Sequence, residues 1–403
     1  MLIRCNALDG AILFHNANPV LECLRTVTRG WGLSPVEDAA PCITVSRRGR
    51  GYAIMERGAD ADREQTVVGA VCTLVMIVLN RIARGQERRI FLHAAAVSLD
   101  GRAVVFPATN RAGKSTLVAA AAFAGHTVIA DDILSIGDTD GGGLAVFGPG
   151  VAPRLRLPVP PSLGDAFAEA ADRLAGPQDR RYRYLNLPEA AVAALDDPHE
   201  ISAFAMLQCV EEEVPPSLFR VDPGLATQTL LAQTLGVAAP PRALIDWVGD
   251  LATATPAILI RYRDPADAVT LLRNVLADTN AALRDAPTAT PPPPGRPIAP
   301  AREASVERHP ATPLVRRPEI ERHERNSHPF LLDPNSGAIF GLDPLGDCIW
   351  DLLAEPIAAR EIVETVAAVF PGNPREEIER GIVDFLARLR AARLVSVVHG
   401  ENT

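Results

Sequence analysis

The chain has 403 residues, a formal net charge of −9 at pH 7 and a hydrophobic fraction of 47%. At about 150 residues per domain this length predicts two or three domains, and the composition is sufficient for globular cores. The negative charge argues against a general affinity for nucleic acid, and the six cysteines, which form no CxxC pair, argue against a disulfide scaffold or a structural zinc site.

Residues 1–85 form the first predicted region. The N-terminal sequence MLIRCNALDG has no basic stretch followed by a long apolar one, so we expect no signal peptide. The most apolar run, TVVGAVCTLVMIVLNRI at 66–82, is shorter than the roughly 20 apolar residues of a bilayer span and predicts a buried helix. We therefore expect a cytoplasmic protein, without membrane contact, in which residues 1–85 are an α/β region that packs on the next domain.

A strand, a glycine-containing loop, a helix and a second strand follow from Phe91 onward, in the segments FLHAAAVSLDGRAVVF, PATNRAGKST, LVAAAAFAGH and TVIADDILSI. This order is typical of an α/β unit in which the loop after a strand opens a helix. The loop sequence ATNRAGKS, at 108–115, fits the phosphate-binding pattern GxxxxGK[ST] except that Ala108 replaces the first glycine. The predicted nucleotide-binding residues are Thr109, Asn110, Arg111, Ala112, Gly113, Lys114, Ser115 and Thr116.

Lys114 is the single lysine in a chain with 40 Lys and Arg residues. Where arginine is used everywhere else, a retained lysine indicates chemistry that needs a compact ammonium group. In a phosphate-binding loop this lysine reaches the β- and γ-phosphates, and the serine that follows it holds Mg²⁺. ATP and Mg²⁺ are therefore the expected cofactors, with Lys114 as a catalytic residue.

Asp131 and Asp132 end the apolar strand in TVIADDILSI, where P-loop proteins place a metal-binding carboxylate. Adjacent residues on a strand point to opposite faces, so we expect the two acids to have different roles. Asp131 is predicted to accept the proton of the attacking hydroxyl, and Asp132 to bind Mg²⁺ together with Ser115. The sequence also allows the two aspartates to be exchanged.

Arginines concentrate in the segments APRLRLP and QDRRYRYLNLP. The planar guanidinium group binds phosphate through two parallel hydrogen bonds. Arg154, Arg156 and Arg181 are therefore candidate contacts of the transferred phosphoryl group or of an acidic substrate. An interpretation of equal weight is that they are solvated loop residues.

The segment from 93 to 136 resembles the catalytic core of the HPr kinase/phosphorylase family. The resemblance rests on motifs in the family's order: His93, the loop around Lys114, Gly125 with His126, and Asp131 with Asp132. It implies an α/β P-loop kinase core, Mg-ATP-dependent phosphorylation of a protein serine, one aspartate as general base, and His93 as a catalytic residue close to the phosphates.

The chain departs from that family at several positions. The family's loop usually has glycine at the positions of Ala108 and Arg111, and a later segment carries a glutamate and an arginine where LAVFGPG has Ala145 and Phe147. The missing carboxylate predicts a weaker second metal site, and therefore a kinase without the phosphate-removing activity of the family. The family often assembles into hexamers, and the sequence leaves a homo-oligomer open.

The composition shifts to proline over residues 285–313, which predicts an extended linker because proline cannot donate helix or sheet hydrogen bonds. Residues 314–403 follow as a small α+β domain of winged-helix type. PFLLDPNSGAIFGL predicts two short strands around a turn at Asn335, Ser336 and Gly337, and DPLGDCIWDLLAE predicts a helix capped by Asp343. LVSVV predicts a last strand. The helix before it should bury one face, which comprises Ile378, Ile382, Phe385, Leu386 and Leu389.

Residues 329–398 resemble PqqD-like domains, the peptide-recognition elements of ribosomal peptide natural product pathways. The resemblance rests on LLDPNSGAIFGLDPLGDCIWDLL, which includes Trp350, and on FLARLRAARLV. It implies that the leader of a precursor peptide binds these residues as an additional strand at the sheet edge, beside a helix. The helices of this segment are rich in acidic residues and the segment has no lysine, which argues against nucleic acid as its partner.

The two resemblances together predict an ATP-dependent serine kinase, or less favourably a threonine kinase, that modifies a ribosomally synthesised precursor peptide. Relatives of the HPr kinase core are tailoring kinases in lasso peptide pathways, and the kinase domain is predicted at 86–284. Two alternatives stay open. One is an HPr-type protein serine kinase/phosphorylase acting on a folded carrier protein without need of a leader; the other is a nucleotide-gated peptide-binding chaperone that transfers no phosphate.

Overall fold

The structure is a computed structural model that describes residues 1–86, 89–107, 112–139, 141–235, 239–289, 312–372 and 374–398. The described chain divides into two compact units. The first takes in residues 1–222, 233–235 and 254–289, and the second takes in residues 223–232, 239–253 and those described from 312 onward. The predicted architecture, an α/β core followed by a small α+β C-terminal domain, is confirmed.

The N-terminal region is a six-stranded sheet with two helices. Its elements are β1 (Leu2–Arg4), β2 (Ala11–His15), α1 (Asn18–Val27), β3 (Ser34–Val36), β4 (Pro41–Arg48), β5 (Gly51–Glu56), β6 (Asp62–Glu64) and α2 (Val67–Arg84). The strand order is β3-β1-β2-β4-β5-β6. Both helices place their apolar faces in the core that this region shares with the rest of the first unit.

Helix α2 is the apolar helix that the sequence predicts. Thr66 caps it by accepting a hydrogen bond from the N–H of Gly69 at 2.9 Å. Among the described residues, α2 is the one helix that is long and apolar enough to cross a membrane, judged by length and composition. Leu74 and Val78 on one of its faces are fully buried in the core of the unit, as expected of a core helix.

The rest of the first unit is built around a large mixed sheet. The elements of this part of the chain, in sequence order, are β7 (Arg89–Leu92), β8 (Ala95–Leu99), β9 (Arg102–Phe106), α3 (Lys114–Phe123), β10 (Thr127–Ala130), β11 (Leu134–Asp138), β12 (Leu144–Phe147), β13 (Arg154–Arg156), α4 (Gly164–Arg173), β14 (Ala175–Gln178), β15 (Tyr182–Leu185), β16 (Pro198–Cys209), β17 (Ser217–Arg220), α5 (Pro223–Ala232), β18 (Thr234–Leu235), α6 (Pro241–Ala254), β19 (Ala257–Tyr262), α7 (Pro265–Ala277) and α8 (Thr279–Arg284). Two of these helices, α5 and α6, pack in the second unit.

The centre of the large sheet is parallel. The long strand β16 pairs in parallel with β9 on one side and with β19 on the other, and β8 and β10 extend the sheet beyond β9 in antiparallel pairs. Nearly every residue of β8 and β9 is buried, which explains why these strands are continuous apolar runs. The end of β9 leads towards α3, and the end of β10 leads to the two aspartates, so both motifs emerge from neighbouring parts of one sheet.

The predicted linker at 285–313 is described only in part, because residues 290–311 lie outside the described residues. Its first residues are packed. Ala286 is buried, the N–H of Arg220 donates to the carbonyl of Pro287 at 2.8 Å, and the N–H of Ala289 donates to the carbonyl of Arg220 at 2.9 Å. Residues 286–289 therefore belong to the packed first unit, beside the end of β17.

The C-terminal module has the predicted elements. They are β20 (Leu314–Arg316), β21 (Glu321–Arg325), β22 (His328–Leu332), β23 (Ile339–Gly341), α9 (Pro344–Leu352), α10 (Ala359–Val369), α11 (Arg375–Ala391) and β24 (Val395–Val397). Gly337 closes the predicted turn with φ +73°, and Asp343 caps α9 by accepting from the N–H of Gly346 at 2.6 Å. The last strand, β24, pairs with β20.

The sheet β21-β22-β23 is covered on both faces within the second unit. Alternate side chains of a strand point to opposite faces, and here Phe330 and Leu332 pack with Ile245 of α6. Leu331 and Phe340 instead join the larger core formed by α9, α10 and α11. The C-terminal sheet is therefore the middle layer of a three-layer unit.

Helices α5 and α6 precede the predicted linker in sequence, yet they pack in the C-terminal unit. His323 Nε2 of β21 lies 2.9 Å from Asp246 Oδ1 of α6, and Arg325 pairs with Asp250. The sequence did not predict that α5 and α6, which lie in the segment predicted as the kinase domain, pack in the C-terminal unit. The predicted domain boundaries otherwise stay predictions.

Candidate phosphoryl-transfer site

The structure describes the predicted phosphate-binding loop from Ala112 onward. Gly113 has φ +93°, and a Cβ at this position would lie 2.8 Å from the Tyr262 hydroxyl oxygen. Both the backbone conformation and the close approach therefore require glycine here. Thr109, Asn110 and Arg111 lie outside the described residues, so their predicted contacts with the nucleotide stay predictions.

Lys114 is the first residue of α3, and its side chain is buried. Burial lowers the pKa of its ammonium group below the usual value, while the charges of Asp132 and Asp131 act in the opposite direction. The ammonium therefore lies within electrostatic reach of both carboxylates. The N-terminus of α3 adds N–H groups that favour an anion at the same place. Ser115 and Thr116 follow in the first turn, as predicted.

Asp131 and Asp132 both follow the end of β10, in a bend. The strand alternation from which we expected opposite orientations therefore does not apply to them. Their roles are distinguished instead by the partners that each carboxylate has.

The Asp131 carboxylate is buried beside the start of α3. Its Oδ2 accepts the backbone N–H of Arg154 at 3.0 Å, and it forms a side-chain hydrogen bond with Ser115. Its other oxygen, Oδ1, is buried and has no hydrogen-bond partner among the residues that the structure describes. Burial raises the pKa of Asp131 above its usual value, because a charged carboxylate loses hydration there.

Asp132 is held by two basic side chains. His93 Nε2 lies 3.0 Å from its Oδ1, and Arg154 Nη2 donates to its Oδ2 at 2.9 Å. Burial acts to raise the pKa of Asp132, but the His93 hydrogen bond and the charges of Arg154 and Lys114 outweigh it and hold the pKa below its usual value. The Asp132 side chain is 40% exposed, so an incoming group can reach this carboxylate more easily than that of Asp131.

Arg154 connects the aspartates to the N-terminal region. Its Nη1 lies 2.7 Å from Cys72 Sγ on α2, and Cys72 Sγ lies 3.3 Å from the Tyr184 hydroxyl. The guanidinium group also lies 5.0 Å from the centre of the Tyr182 ring. Burial lowers the pKa of Arg154, yet its neighbours outweigh this and raise the pKa above its usual value. Arg154 is thus fixed and charged beside Asp132.

Gln233 holds the other side of the predicted catalytic histidine. His93 Nδ1 lies 3.2 Å from Gln233 Oε1, and the His93 N–H donates to the Gln233 carbonyl at 2.8 Å. The ring therefore lies between Gln233 and Asp132, with a defined orientation. The sequence analysis did not identify Gln233, Cys72 or Tyr184, and no motif marks them.

The other two predicted arginines, Arg156 and Arg181, form no hydrogen bond or ion pair with Asp131 or Asp132 in the described part of the chain. Arg156 and Arg181 are both exposed. The Arg156 guanidinium group lies 6.0 Å from the centre of the Tyr182 ring. Of the three candidates, the structure brings only Arg154 into the cluster around the aspartates; substrate contacts by the other two stay predictions.

Two glycines bring the chain after β12 close to this cluster. A Cβ at Gly148 would lie 2.1 Å from the carbonyl oxygen of Ile129 in β10, and a Cβ at Gly150, where φ is +62°, would lie 2.2 Å from the carbonyl of Arg29. Larger residues would push this segment away from β10. The close approach helps to place Arg154, a few residues later, against the aspartates.

The cluster combines the groups that phosphoryl transfer uses: an ammonium at a helix N-terminus, a serine hydroxyl, two carboxylates and a fixed guanidinium. The residues present also fit a magnesium ion. Hydroxyl and carboxylate oxygens are ligands that Mg²⁺ prefers, and the buried Asp131 Oδ1 lacks a partner within the described chain.

Comparison with protein-family models matches residues 330–395 to the family described as Coenzyme PQQ synthesis protein D (PqqD). This match confirms the predicted PqqD-like domain at the C-terminus. A search of curated proteins found no match to the chain.

Two solved structures are similar to parts of the chain. TbiB1 in complex with the TbiA(beta) leader peptide shares 30% identity, over 20% of this chain and 94% of that chain, with a TM-score of 0.19. The HPr(Ser) kinase/phosphatase from Coxiella burnetii shares 12% identity, over 47% of this chain and 90% of that chain, with a TM-score of 0.24. The PqqD family and the HPr kinase family, which the sequence resembles, thus recur among these comparisons.

Proposed function

We propose that the protein is an ATP-dependent kinase that phosphorylates a serine, or less favourably a threonine, of a ribosomally synthesised precursor peptide. The observation that carries this proposal is the cluster at the start of α3, where Lys114 faces Asp131 and Asp132, and His93 and Arg154 hold Asp132. Catalysis of phosphoryl transfer consists mostly of positioning and charge neutralisation. This cluster supplies both.

In the proposed site, Ser115 and Asp131 hold Mg²⁺. Their side chains are hydrogen-bonded to each other, and Asp131 Oδ1 has no hydrogen-bond partner among the described residues. When bound, the ion neutralises charge on the β- and γ-phosphates. The sequence prediction paired Ser115 with Asp132 for the metal and allowed the aspartates to be exchanged; the contacts favour the exchanged assignment.

Asp132 is then the carboxylate that receives the acceptor hydroxyl. It is the more exposed of the two acids, and His93 and Arg154 fix its orientation. The serine oxygen forms a bond to the γ-phosphorus as its proton passes to Asp132, and the bond from this phosphorus to the bridging oxygen breaks, which releases ADP. Lys114 lies where it can neutralise the charge on the phosphates during this step.

The match to PqqD supports the proposed peptide substrate, and the sheet has an edge suited to a leader. The Leu342 N–H donates to the Pro329 carbonyl, and the Asp333 N–H donates to the Ala338 carbonyl. Hydrogen-bonded pairs alternate along an antiparallel ladder, so the N–H groups of Ile339 and Gly341 point away from β22. They are placed to bind the backbone of an added strand.

Substitution of Lys114 tests the proposed function. Lys114→Ala should reduce phosphate transfer to the precursor peptide by a factor of about 100 or more, because the ammonium group is lost from the transition state. Lys114→Arg is the matched control for charge, and it should also be impaired because a planar guanidinium group does not replace a compact ammonium. Transfer is measured by the intact mass of the peptide after incubation with ATP and Mg²⁺.

Unchanged transfer by Lys114→Ala would contradict the proposed site. Nucleotide and peptide binding without any transfer by the unsubstituted protein would instead support the nucleotide-gated chaperone.

A further inference from the structure

A cleft opens beside the two aspartates in the first unit. Asp131, Asp132 and Arg154 line one part of it, and Cys72 and Tyr184 lie next to Arg154. The rest of the wall is apolar and consists of Val75, Met76, Leu79, Ile133, Pro149, Val151 and Ala152. The polar cluster of the proposed active site is therefore continuous with an apolar surface.

Helix α2 supplies one side of this apolar wall. Val75 and Leu79 are buried in the core and form a fixed surface. Met76, between them in sequence, is 37% exposed. A long and flexible methionine side chain at the rim of a cleft can adapt to an apolar group that enters.

We infer that this cleft binds an aliphatic or aromatic side chain that lies within two residues of the phosphorylated serine. This inference rests on the proposed function and specifies its substrate. The hydroxymethyl group of serine is far smaller than the cleft, so contact of the serine with Asp132 leaves the apolar wall uncovered. Alternate side chains of an extended peptide point to the same side, so a residue two positions from the serine can enter the same cleft.

The chemistry of the wall selects the occupant. A charged or strongly polar side chain would lose hydration against Val75, Met76 and Leu79 without gaining a hydrogen bond. An apolar side chain removes both its own surface and that of the wall from water. Arg154 is already bound to Asp132 and Cys72, so an acidic side chain would compete with existing contacts.

Short synthetic peptides test the inference. The probes contain alanine, glycine and one serine, with a single leucine or aspartate at each position within two residues of the serine, and kcat/KM for phosphate transfer is measured. The best-placed leucine should raise kcat/KM about tenfold over aspartate at the same position. Met76→Asp should remove most of this preference. Met55→Asp is the matched control, because Met55 is an exposed methionine on β5 outside the cleft lining, and it should retain the preference.

Equal kcat/KM for the leucine and aspartate peptides, or an unchanged preference in Met76→Asp, would overturn the inference. Absence of transfer to every peptide, including the full precursor, would count against the proposed kinase.

The cleft is also tested by a readout that does not depend on transfer. Cys72 lines the cleft, whereas Cys209 is exposed elsewhere in the chain. The alkylation rate of each thiol is measured by mass spectrometry of peptide fragments. The leucine peptide should slow alkylation of Cys72 severalfold and leave that of Cys209 unchanged; equal rates for Cys72 with and without the peptide would contradict occupancy of the cleft.

Discussion

Asp131 and Asp132 are adjacent in sequence but have different surroundings. Asp131 is buried against Ser115 and the backbone of Arg154, whereas Asp132 is partly exposed and is held by two basic side chains. A buried oxygen that has no partner among the described residues, such as Asp131 Oδ1, suits a metal ion. An accessible carboxylate suits an incoming hydroxyl. The proposed division of work between the two acids follows from these surroundings.

Conservative variants separate the two roles. Asp131→Asn should weaken the Mg²⁺-dependent part of ATP binding about tenfold or more, because an amide is a poorer ligand of a hard cation. Asp132→Asn should largely retain Mg-ATP binding but reduce phosphate transfer by a factor of about 100 to 10,000, because the amide cannot accept the hydroxyl proton. Binding is measured with a fluorescent ATP analogue, with and without EDTA. The opposite pattern would restore the assignment in which Asp132 binds the metal and Asp131 is the base.

The sequence could predict the residues of this site that belong to local motifs. The predicted phosphate-binding loop and the acids after β10 lie in one segment and have a known order, so the sequence suggests Lys114 and the aspartates as candidates. Gln233 is 140 positions from His93, and Cys72 is 82 positions from Arg154. Contacts over such separations arise from tertiary packing and leave no periodic signal in a single sequence.

At the scale of elements, the Asp179 carboxylate ties the start of α2 to the loop before β15. Its Oδ2 accepts the Thr66 hydroxyl at 2.7 Å, and its Oδ1 accepts the N–H groups of Arg181 and Tyr182 at 2.7 and 2.9 Å. Burial acts to raise the pKa of Asp179, but these hydrogen bonds outweigh it and hold the pKa below its usual value. Since α2 forms one wall of the cleft, this contact also helps to position the cleft.

Asp179→Asn should therefore reduce the free energy of unfolding by about 1 kcal/mol at pH 7, because three hydrogen bonds to an ionised group are weakened or lost. The contribution of a carboxylate with a lowered folded-state pKa is present above its unfolded-state pKa, about 3.9, and is lost as the pH falls through the folded-state value. The difference between the two proteins, measured by urea unfolding, should therefore shrink at pH 3 to 4. Asp60→Asn, at an exposed loop position, is the control and should have little effect. A difference that does not change with pH would contradict this account.

At the scale of the whole molecule, the C-terminal unit contains helices that lie before the predicted linker in sequence. Helices α5 and α6 cover one face of its sheet, with Ile245 packed on Phe330 and Leu332. The buried residues of α6, among them Leu244, Ile245 and Val248, recur at helical spacing. This spacing indicates that one face of the helix is covered, but not which part of the chain covers it. Deletion of residues 312–403 would expose this face, so a point substitution at the sheet edge tests peptide recognition more cleanly.

Ile339→Pro removes one N–H group from the open edge of β23 without removing a hydrogen bond to β22. A peptide with its leader should have a lower KM than the same core peptide without the leader, and Ile339→Pro should shrink this KM ratio about tenfold. The reason is that the added strand loses a backbone hydrogen bond and fits the edge less well. Ile339→Val keeps the N–H group and is the matched control, and circular dichroism checks the fold. If the leader lowers KM by the same factor in Ile339→Pro and in Ile339→Val, the leader is recognised elsewhere.

The most direct measurement for the proposed kinase is the intact mass of a candidate precursor peptide, after incubation with the protein, Mg²⁺ and ATP whose γ-phosphate carries ¹⁸O. We expect the peptide to gain one labelled phosphate, located on a serine by fragmentation and absent with Lys114→Ala. A peptide that binds the protein but gains no labelled phosphate would contradict phosphoryl transfer as its function.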